Sequence, residues 1–358
     1  MKIIEVIPTL DTGGAERLVC DLSISLSKEN DVEVLCLYNS INTNFSKKLK
    51  ENNIQVKYFN KKLGLDLMCF FKMFKYIKNS NVDVVHSHID SIKYVALPCI
   101  LYRKKLFYTV HNMADKDSKG VPRFLNKILF KYFNVTPIAI AKKVKKSIMD
   151  LYKLKCNDVP LIYNGINIDE INKAKKYNEF LSNENINLFN VAVFRKQKNH
   201  KFLIDIFKEA YKNNPKLRLF LVGDGVLKKC IENYVKENGL ESVVFFLGNR
   251  NDVYSLMKSL DIFILTSDYE GFSLSILEAM ACKKKIIVTN VGGNSEQIID
   301  GETGFLIKKD DISFAIDRLN KCINNSEINK NAYEYLLENF TIEKSRDEYI
   351  KEFKKSLR

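Results

Sequence analysis

Two glutamates spaced eight residues apart are the first side chains in this sequence whose placement suggests chemistry. Glu270 and Glu278 lie in DYEGFSLSILEAM (268–280), directly after the apolar run DIFILTS (261–267). The run predicts a buried strand, and the spacing of the apolar residues after it predicts a helix over about 273–282. A single glutamate is most often a solvated side chain. Two of them beside a helix N-terminus, whose free amides bind anions, instead indicate a ligand site.

A cluster of cationic side chains follows another apolar strand. In VFRKQKNHKFL (193–203), Arg195, Lys196 and Lys198 come where the strand gives way to a helix. Arginine and lysine at such a position are suited to hold a diphosphate through charge-assisted hydrogen bonds. The alternative is a solvated run of charge, which explains CKKKI (282–286) better than it explains this position.

Two glycine-bearing turns have the same strand-to-helix placement. TLDTGGAERL (9–18) carries Gly13 and Gly14, and LVGDGVLKK (221–229) carries Gly223. Glycine has no side chain, so a ligand can approach the backbone and the start of the helix. The first turn is not a G-x-G-x-x-G, so a dinucleotide is not specifically indicated, and an ordinary glycine turn explains it equally well.

Histidines end two further strands, in VVHSHID and YTVHNMAD. His86 and His88 alternate along one strand end, but they supply only two metal ligands and no carboxylate partner is evident. We therefore do not predict a metal site. His88 and His111 are better interpreted as hydrogen-bonding groups or bases at the rim of a cleft.

The elements that must position these groups are short β-branched runs alternating with longer helix-period segments. Continuous apolar strands separated by helices predict parallel sheets that are covered on both faces. The predicted strands fall in two sets: 2–7, 32–38, 54–59, 82–87, 106–112, 137–141 and 159–164, and then 186–194, 217–223, 243–248, 261–267 and 285–290.

Two sets of strands predict two doubly wound, Rossmann-like α/β domains. We place the first at 1–164 and the second at 165–340, with the boundary in the polar stretch 163–187. The tail 311–358 reads as two or three helices, of which 341–358 is expected to pack back on the first domain. Ligands of such folds bind at the carboxyl ends of the strands, so an interdomain cleft is the expected site.

Charge is distributed unevenly along the chain. The 358 residues carry a net charge of +14, of which residues 1–164 contribute +12 and the remainder +2. A basic N-terminal half indicates an anionic partner, either nucleic acid or acidic lipid. The segment 58–80 combines lysines with phenylalanines, which suits an anionic membrane surface, although a domain helix with its apolar face in the core is an equally good interpretation.

The cysteines and the hydropathy of the chain indicate its expected cellular location. Eight cysteines are scattered singly with no C-x-x-C pair, which predicts reduced core residues and neither disulfides nor a zinc site. No apolar run reaches the roughly 18–20 residues of a membrane span. We expect a cytoplasmic protein, either soluble or peripheral at the inner face of the cell membrane.

Several of these motifs together resemble glycosyltransferase family 4. The resemblance spans about 1–345 and rests on GGAE (13–16), NGIN (164–167), QKNH (197–200), GDG (223–225), EGFSLSILEA (270–279) and GGNSE with GETGFL (292–296 and 301–306). It implies the GT-B fold, a retaining mechanism, a nucleotide-sugar donor and no catalytic metal ion. DKD (115–117) matches the D-x-D of metal-dependent sugar transferases, but it lies in a polar loop and we interpret it as chance.

The resemblance also implies roles for individual residues. Glu270 would contact the donor sugar, Glu278 the ribose hydroxyls, and Lys198 the diphosphate. His111 would lie against the sugar near the reacting carbon. The remaining implied donor-binding residues are Gly14, Gly223, Gly271, Phe272, Ser273, Gly292, Gly293 and Glu296, and the implied acceptor-binding residues are Gly13, Glu16 and His88.

One position departs from the family pattern. Aligned on Lys198, the position that is often a phosphate-binding arginine holds Val193, and the nearest arginine is Arg195. The resemblance thus leaves open whether Arg195 takes over that role.

The expected function is therefore transfer of a hexose or N-acetylhexosamine to a saccharide acceptor. Two alternative functions remain. The acceptor is expected to be lipid-linked, in bacterial capsule, exopolysaccharide or lipopolysaccharide synthesis, with UDP-sugar favoured over GDP-mannose as donor. A nucleotide-sugar epimerase of the same build would need no acceptor. A nucleic-acid binder would explain the charge, but no binding module is recognisable and it leaves the paired glutamates unexplained.

Overall fold

The computed structural model describes residues 1–177 and 184–358. They form two compact units, one of 1–166 with 342–358 and the other of 167–341. Each unit contains one sheet of six parallel strands with helices between them. Part of the predicted boundary stretch, 178–183, lies outside the described residues.

The first unit has the strand order β3-β2-β1-β4-β5-β6. Its strands are β1 (Lys2–Ile7), β2 (Asp31–Cys36), β3 (Gln55–Tyr58), β4 (Val84–His88), β5 (Lys105–Val110) and β6 (Thr136–Ala139). Its helices are α1 (Gly14–Leu26), α2 (Asn44–Glu51), α3 (Leu67–Asn79), α4 (Ile92–Leu101), α5 (Ala114–Asp117), α6 (Gly120–Tyr132) and α7 (Lys142–Tyr152). The direction of winding reverses between β1 and β4, which is where doubly wound sheets bind ligands.

The second unit has the strand order β12-β11-β10-β7-β8-β9. Its strands are β7 (Ile186–Val191), β8 (Leu217–Val222), β9 (Val244–Gly248), β10 (Ile262–Leu265), β11 (Lys285–Thr289) and β12 (Phe305–Ile307). Its helices are α8 (Ile168–Lys173), α9 (His200–Asn213), α10 (Lys228–Glu237), α11 (Val253–Ser259), α12 (Leu274–Ala281), α13 (Asn294–Gln297), α14 (Ile312–Asn324) and α15 (Ile328–Asn339). Here the winding reverses between β7 and β10, the two strands that precede the cationic cluster and Glu270.

The last helix, α16 (Ile342–Leu357), belongs to the first unit. Its start is tied to that unit because the Ile342 amide donates to the Ile166 carbonyl and the Ser345 hydroxyl donates to the Tyr163 carbonyl. Tyr349 and Phe353 are fully buried beneath the sheet's side chains. This helix therefore completes the core of the unit that the chain leaves at residue 166.

The structure differs from the sequence prediction in two elements. The run 159–164 is not a strand: it makes a single bridge, in which the Ala139 amide donates to the Pro160 carbonyl and the Ile162 amide donates to the Ala139 carbonyl. Pro160 has no N–H, which limits how far a ladder can extend through it. The three-residue strand β12 was not predicted, because its length gives too little alternation to be recognised.

Candidate functional site

Glu270 lies in the turn between β10 and α12, and it is buried with only 5% of its surface exposed. Its Oε1 accepts a hydrogen bond from the Nζ of Lys198 at 2.6 Å and another from the Ser267 hydroxyl. The Nε2 of Gln197 lies 3.4 Å from Oε2. The second unit thus brings together the glutamate and the lysine that the sequence singled out separately, in one partly buried ion pair.

Adjacent strands explain why two residues 72 positions apart meet. Strands β7 and β10 are hydrogen-bonded neighbours, so their carboxyl ends lie side by side. The loops that follow are joined by two further bonds: the Asp268 amide donates to the Gln197 carbonyl at 2.7 Å, and the Gln197 side-chain amide donates to the Tyr269 carbonyl at 3.0 Å. Gln197 is a positioning residue that the sequence showed only as part of QKNH.

The Gly292–Gly293 loop closes over the same turn. The Gly293 amide donates to the Gly271 carbonyl at 3.0 Å. Gly292 has φ +49°, and a Cβ added there would lie 1.7 Å from the Glu270 carbonyl oxygen. Only glycine fits this contact, so the loop after β11 and the turn after β10 form one continuous backbone surface around Glu270.

The start of α12 is fixed by a residue that the sequence did not reveal. Gln297 is fully buried, and its side-chain amide accepts from the Ser273 amide and donates to the Ser273 carbonyl. The ring of Phe272 packs edge-on against Phe340, with centroids 5.2 Å apart. Gln297 therefore occupies both backbone groups of Ser273, whose hydroxyl lies 3.0 Å from that of Ser275, and the ring of Phe272 is engaged in packing.

Glu278 lies inside α12 and is 8% exposed. The hydroxyl of Tyr254, on α11, lies 3.5 Å from its Oε1. Glu296, the last of the predicted donor-binding acids, is in the short helix α13 directly after the glycine loop and is partly exposed. These carboxylates thus lie in the same unit as the Lys198–Glu270 pair.

The Gly223–Gly225 turn packs on the end of β7. Gly223 has φ +131°, and a Cβ there would meet the Ala192 carbonyl oxygen at 2.1 Å. The Phe194 amide donates to the Asp224 carbonyl at 2.9 Å. The turn after β8 is therefore the next neighbour of the β7 loop, on the side away from β10.

Arg195 is exposed and lines a cavity of about 500 Å³ between the β7 loop and α10. His200 and Tyr234 also line it. The imidazole of His200 stacks on Phe194 at 4.1 Å, and burial with the nearby Lys198 lowers its pKa to about 4. Arg195 and Lys198 are thus on the same loop, but Lys198 faces Glu270 whereas Arg195 faces this cavity.

The first unit contains a second polar cluster, built on the neighbouring strands β1, β4 and β5. Glu5 and His86 are register partners, and alternation along β4 places His88 on the same face. Glu5 Oε2 lies 3.0 Å from His86 Nδ1 and 2.8 Å from His88 Nε2, and all three residues are fully buried. His88 Nδ1 in turn lies 3.0 Å from Nε2 of His111, which is partly exposed.

This cluster corrects the sequence interpretation that the strand histidines have no carboxylate partner. Glu5 is that partner, and the ligand atoms of Glu5, His86 and His88 all lie within 4.8 Å of one another, which is close enough for a metal ion. The signal in the sequence was an acid inside the apolar strand KIIEVI, because a buried carboxylate needs a partner. Their short mutual hydrogen bonds already satisfy these atoms.

The electrostatics of the cluster favour an ionised Glu5 and neutral rings at His88 and His111. Burial alone would raise the pKa of Glu5, but the neighbouring His86 and His88 lower it to about 2. Burial, together with His86, lowers the pKa of His88 to about 4. Burial, with His88 and His86, also lowers the pKa of His111 well below its ordinary value.

Asp117, in the DKD sequence that we interpreted as chance, anchors the loop that carries His111. Its carboxylate accepts from the His111 amide at 3.2 Å and from the Tyr108 hydroxyl at 2.8 Å. Burial raises the pKa of Asp117 to about 6. It therefore shapes the backbone of the loop through buried hydrogen bonds.

Gly13 and Gly14 lie at the start of α1, as the sequence predicted, with Gly14 as the first helical residue. The carboxylate of Glu16 folds back over this turn: it accepts from the Thr9 hydroxyl at 3.2 Å, and a Cβ on Gly13 would come within 2.2 Å of its Oε2. Gly13 thus leaves room for Glu16 at the amino end of the helix.

Comparison with known proteins gives the chain two family matches. Residues 12–170 match the model described as Glycosyltransferase Family 4, and residues 171–338 match the model described as Glycosyl transferases group 1. The chain is 30% identical to the N-acetyl-alpha-D-glucosaminyl L-malate synthase of Bacillus anthracis over 79% of its length and 77% of that protein.

Two further similarities are informative. The chain is 27% identical to the UDP-Gal:alpha-D-GlcNAc-diphosphoundecaprenol alpha-1,3-galactosyltransferase of Escherichia coli, over 80% of its length and 79% of that protein. Its fold matches the crystal structure of Anabaena HepE in complex with UDP and glucose with a TM-score of 0.86 at 22% identity, covering 99% of this chain and 100% of that one.

Proposed function

Because the chain belongs to glycosyltransferase family 4 and has the GT-B fold, we propose that it is a retaining hexosyl- or N-acetylhexosaminyltransferase with a nucleotide-diphosphate sugar as donor. The observation that carries the proposal is the partly buried Lys198–Glu270 pair, with the Gly292–Gly293 loop packed on the backbone of the Glu270 turn. A UDP-sugar is the favoured donor, since UDP-galactose is in the name of the Escherichia coli relative and HepE was crystallised with UDP. GDP-mannose is the second candidate.

The chemistry follows from the charges of this turn. When the bond between the sugar C1 and the β-phosphate oxygen breaks, negative charge grows on the nucleoside diphosphate and positive charge on the sugar. Lys198 is placed to stabilise the leaving diphosphate. Arg195, on the same loop, faces the cavity beside α10 and would add its charge only by turning toward Lys198. The acceptor hydroxyl attacks C1 from the same face, and its proton passes to the departing phosphate oxygen, so the configuration at C1 is retained.

Glu270 orients the donor sugar in this scheme and does not attack C1. Its Oε1 already accepts hydrogen bonds from Lys198 and Ser267. A carboxylate stabilised by two donors, one of them cationic, is a weaker nucleophile than a free one. Glu278 holds the ribose hydroxyls, and Glu296 with the glycine loop completes the donor pocket in the second unit.

A panel of nucleotide sugars tests the function and the donor together. With a lipid-linked saccharide as acceptor, we expect turnover of one donor, release of the nucleoside diphosphate and an unchanged rate in EDTA, because Lys198 supplies the cationic charge at the leaving group. The measurement is product formation by mass spectrometry. Product from the donor alone, without acceptor, would instead indicate an epimerase, and loss of activity in EDTA would contradict metal independence.

The acceptor is proposed to be a saccharide linked to a polyprenyl diphosphate, presented at the inner face of the cell membrane in polysaccharide assembly. The Escherichia coli relative is named for such a substrate. Among the described residues, none of the helices combines the length and the apolar character needed to cross a membrane. Access to a lipid-linked acceptor would therefore rest on a peripheral surface.

One surface of the first unit suits this task. The segment before and along α3 exposes five large apolar side chains, although Cys69, Met73 and Ile77 already supply a buried face. We call it the apolar–basic surface: Leu63, Leu65, Leu67, Met68 and Phe71, with Lys62, Lys72, Lys75 and Lys78 exposed among them. Exposed apolar residues interleaved with lysines favour an anionic membrane over a helix that merely covers the core.

Vesicle binding tests this surface. Changing Lys72, Lys75 and Lys78 together to glutamate is expected to weaken binding to vesicles containing phosphatidylglycerol by roughly 100-fold or more, since each lysine near such a surface contributes about 1 kcal/mol. The measurement is cosedimentation at low salt. The matched control changes Lys216, Lys236 and Lys330, three exposed lysines of the second unit, to glutamate. Equal binding by the two variants would reject the assignment of the surface.

A further inference from the structure

We propose that Glu5 and His88 hold the ring of His111 as a single tautomer, protonated at Nε2, so that its Nδ1 lone pair is presented by the first unit as an acceptor for a hydroxyl group of a saccharide substrate. Glu5 and His88 are positioning residues, because each acts on the substrate only through His111. The inference rests on the proposed function, since it takes the hydroxyl to belong to a substrate of a glycosyltransferase.

The first link is the bond between Glu5 and His88. A carboxylate only accepts hydrogen bonds, so the 2.8 Å contact of Glu5 Oε2 with His88 Nε2 places a proton on Nε2. Glu5 is ionised at neutral pH because the two histidines hold its pKa at about 2. The ring of His88 is neutral, since burial lowers its pKa to about 4. Its other nitrogen, Nδ1, therefore carries a lone pair.

The second link passes this constraint to His111. Nδ1 of His88 lies 3.0 Å from Nε2 of His111. Because Nδ1 of His88 carries a lone pair, Nε2 of His111 must carry the proton of this hydrogen bond. The pKa of His111 is held well below its ordinary value by burial and by the two other histidines, so this ring is neutral as well. Nδ1 of His111 is then a hydrogen-bond acceptor. His111 is partly exposed, and it is the last residue in this series of hydrogen bonds.

His86 provides an internal contrast because its geometry demands the opposite tautomer. Its Nδ1 faces Glu5, at 3.0 Å from Oε2, so this nitrogen carries the proton. Its Nε2 lies 2.8 Å from the Thr109 hydroxyl, and Thr109 in turn lies 3.1 Å from the Tyr349 hydroxyl on α16. A hydroxyl can donate to a lone pair on this nitrogen, so the one glutamate is compatible with opposite tautomers of the two histidines on the same strand.

The chemical consequence is that His111 accepts from the substrate and does not donate to it. A sugar hydroxyl can donate to a fixed lone pair, which selects one position of the sugar. An imidazolium, or a neutral ring protonated at Nδ1, would have no lone pair at Nδ1 and would lose this hydrogen bond.

The ring nitrogens can be observed directly, because the chain has only four histidines. With ¹⁵N-histidine incorporated, long-range ¹H–¹⁵N correlation at pH 7.5 is expected to show His88 and His111 protonated at Nε2 and His86 at Nδ1. The variants His86→Gln, His111→Gln and His200→Gln assign the signals of all four rings. His111 protonated at Nδ1, at both nitrogens or as a mixture would overturn the inference. Stoichiometric metal in the purified protein would overturn it too, because a metal ion would displace these hydrogen bonds.

A matched pair of variants tests the link to catalysis. His88→Asn and His88→Leu both remove the contact with Glu5 and have similar size, but only asparagine can accept from His111. We expect kcat of the leucine variant to be lower than that of the asparagine variant by roughly tenfold, the worth of one hydrogen bond, with little difference in donor KM. Equal kcat in the two variants would show that the hydrogen bond from His111 to residue 88 does not affect catalysis, and His88 would then have only a structural role.

The inference and the proposed function fail in different ways. An active transferase with the wrong tautomer at His111 would overturn the inference alone. A wild-type protein that turns over no nucleotide sugar would overturn the proposed function, and with it the sugar hydroxyl as the partner of His111. If the leucine variant does not fold, the tautomers of the wild-type protein still decide the question.

Discussion

Lys198→Ala is expected to lower kcat at least about 100-fold, the usual cost of removing one preorganised group from a developing negative charge. Lys198 is the cation that directly contacts Glu270, and its side chain is 19% exposed. No water molecule can replace a fixed ammonium group without reorganisation in the transition state. The measurement is kcat and donor KM with the donor identified by the nucleotide-sugar panel.

The control must separate catalysis from folding, because removal of Lys198 leaves the buried Glu270 carboxylate without its cation. We expect this to cost roughly 1–3 kcal/mol of unfolding free energy. The double variant Lys198→Ala with Glu270→Gln removes the buried charge and should recover part of that stability without recovering turnover. Lys201→Ala, an exposed lysine three residues along, should have nearly wild-type kcat. Normal turnover of Lys198→Ala would reject the assignment.

Glu270→Gln is the second change with a large expected effect, again about 100-fold or more in kcat. Glutamine has the same shape, so the turn and the glycine loop remain packed. It has no charge, however, so it can neither hold Lys198 by an ion pair nor balance the positive charge on the sugar. A loss that appears in kcat rather than in donor KM would place the interaction in the transition state.

Glu278→Gln distinguishes the two glutamates. A ribose contact is made equally in the ground state and the transition state, so we expect donor KM to rise by roughly tenfold with a smaller change in kcat. Glu241→Gln, at an exposed position of the same unit, serves as the control for the substitution itself. The same kinetic pattern in Glu270→Gln and Glu278→Gln would contradict the separate roles.

Much of the fold could be predicted from local sequence because the strands are buried on both faces. A strand such as β10 is a continuous apolar run bounded by polar residues, and its position in the chain is visible without any tertiary information. The three-residue β12 and the irregular run at 159–164 could not be placed in this way. In one the pattern is too short, and in the other a proline interrupts the ladder.

The candidate site likewise contains residues that the local sequence identifies and contacts that it does not. Residue types and spacing identified Glu270, Lys198 and His111, because each follows a strand and sheet topology places strand ends together. The ion pair between Lys198 and Glu270 was not predictable, since the residues are 72 positions apart and only the neighbouring positions of β7 and β10 bring them together. The same holds for Gln297, which has no pattern of its own and acts only through the Ser273 backbone.

The sequence by itself determined the two sets of parallel strands, the family and the identity of the groups that end the strands, because these depend on periodicity and residue type. Only the tertiary structure decided which of those groups touch. Glu5 is the clearest case: in the sequence it is one acid in an apolar strand, and in the fold it binds two histidines from β4. Lateral strand order, which no local pattern encodes, turned that acid into the group that determines the protonation of its neighbours.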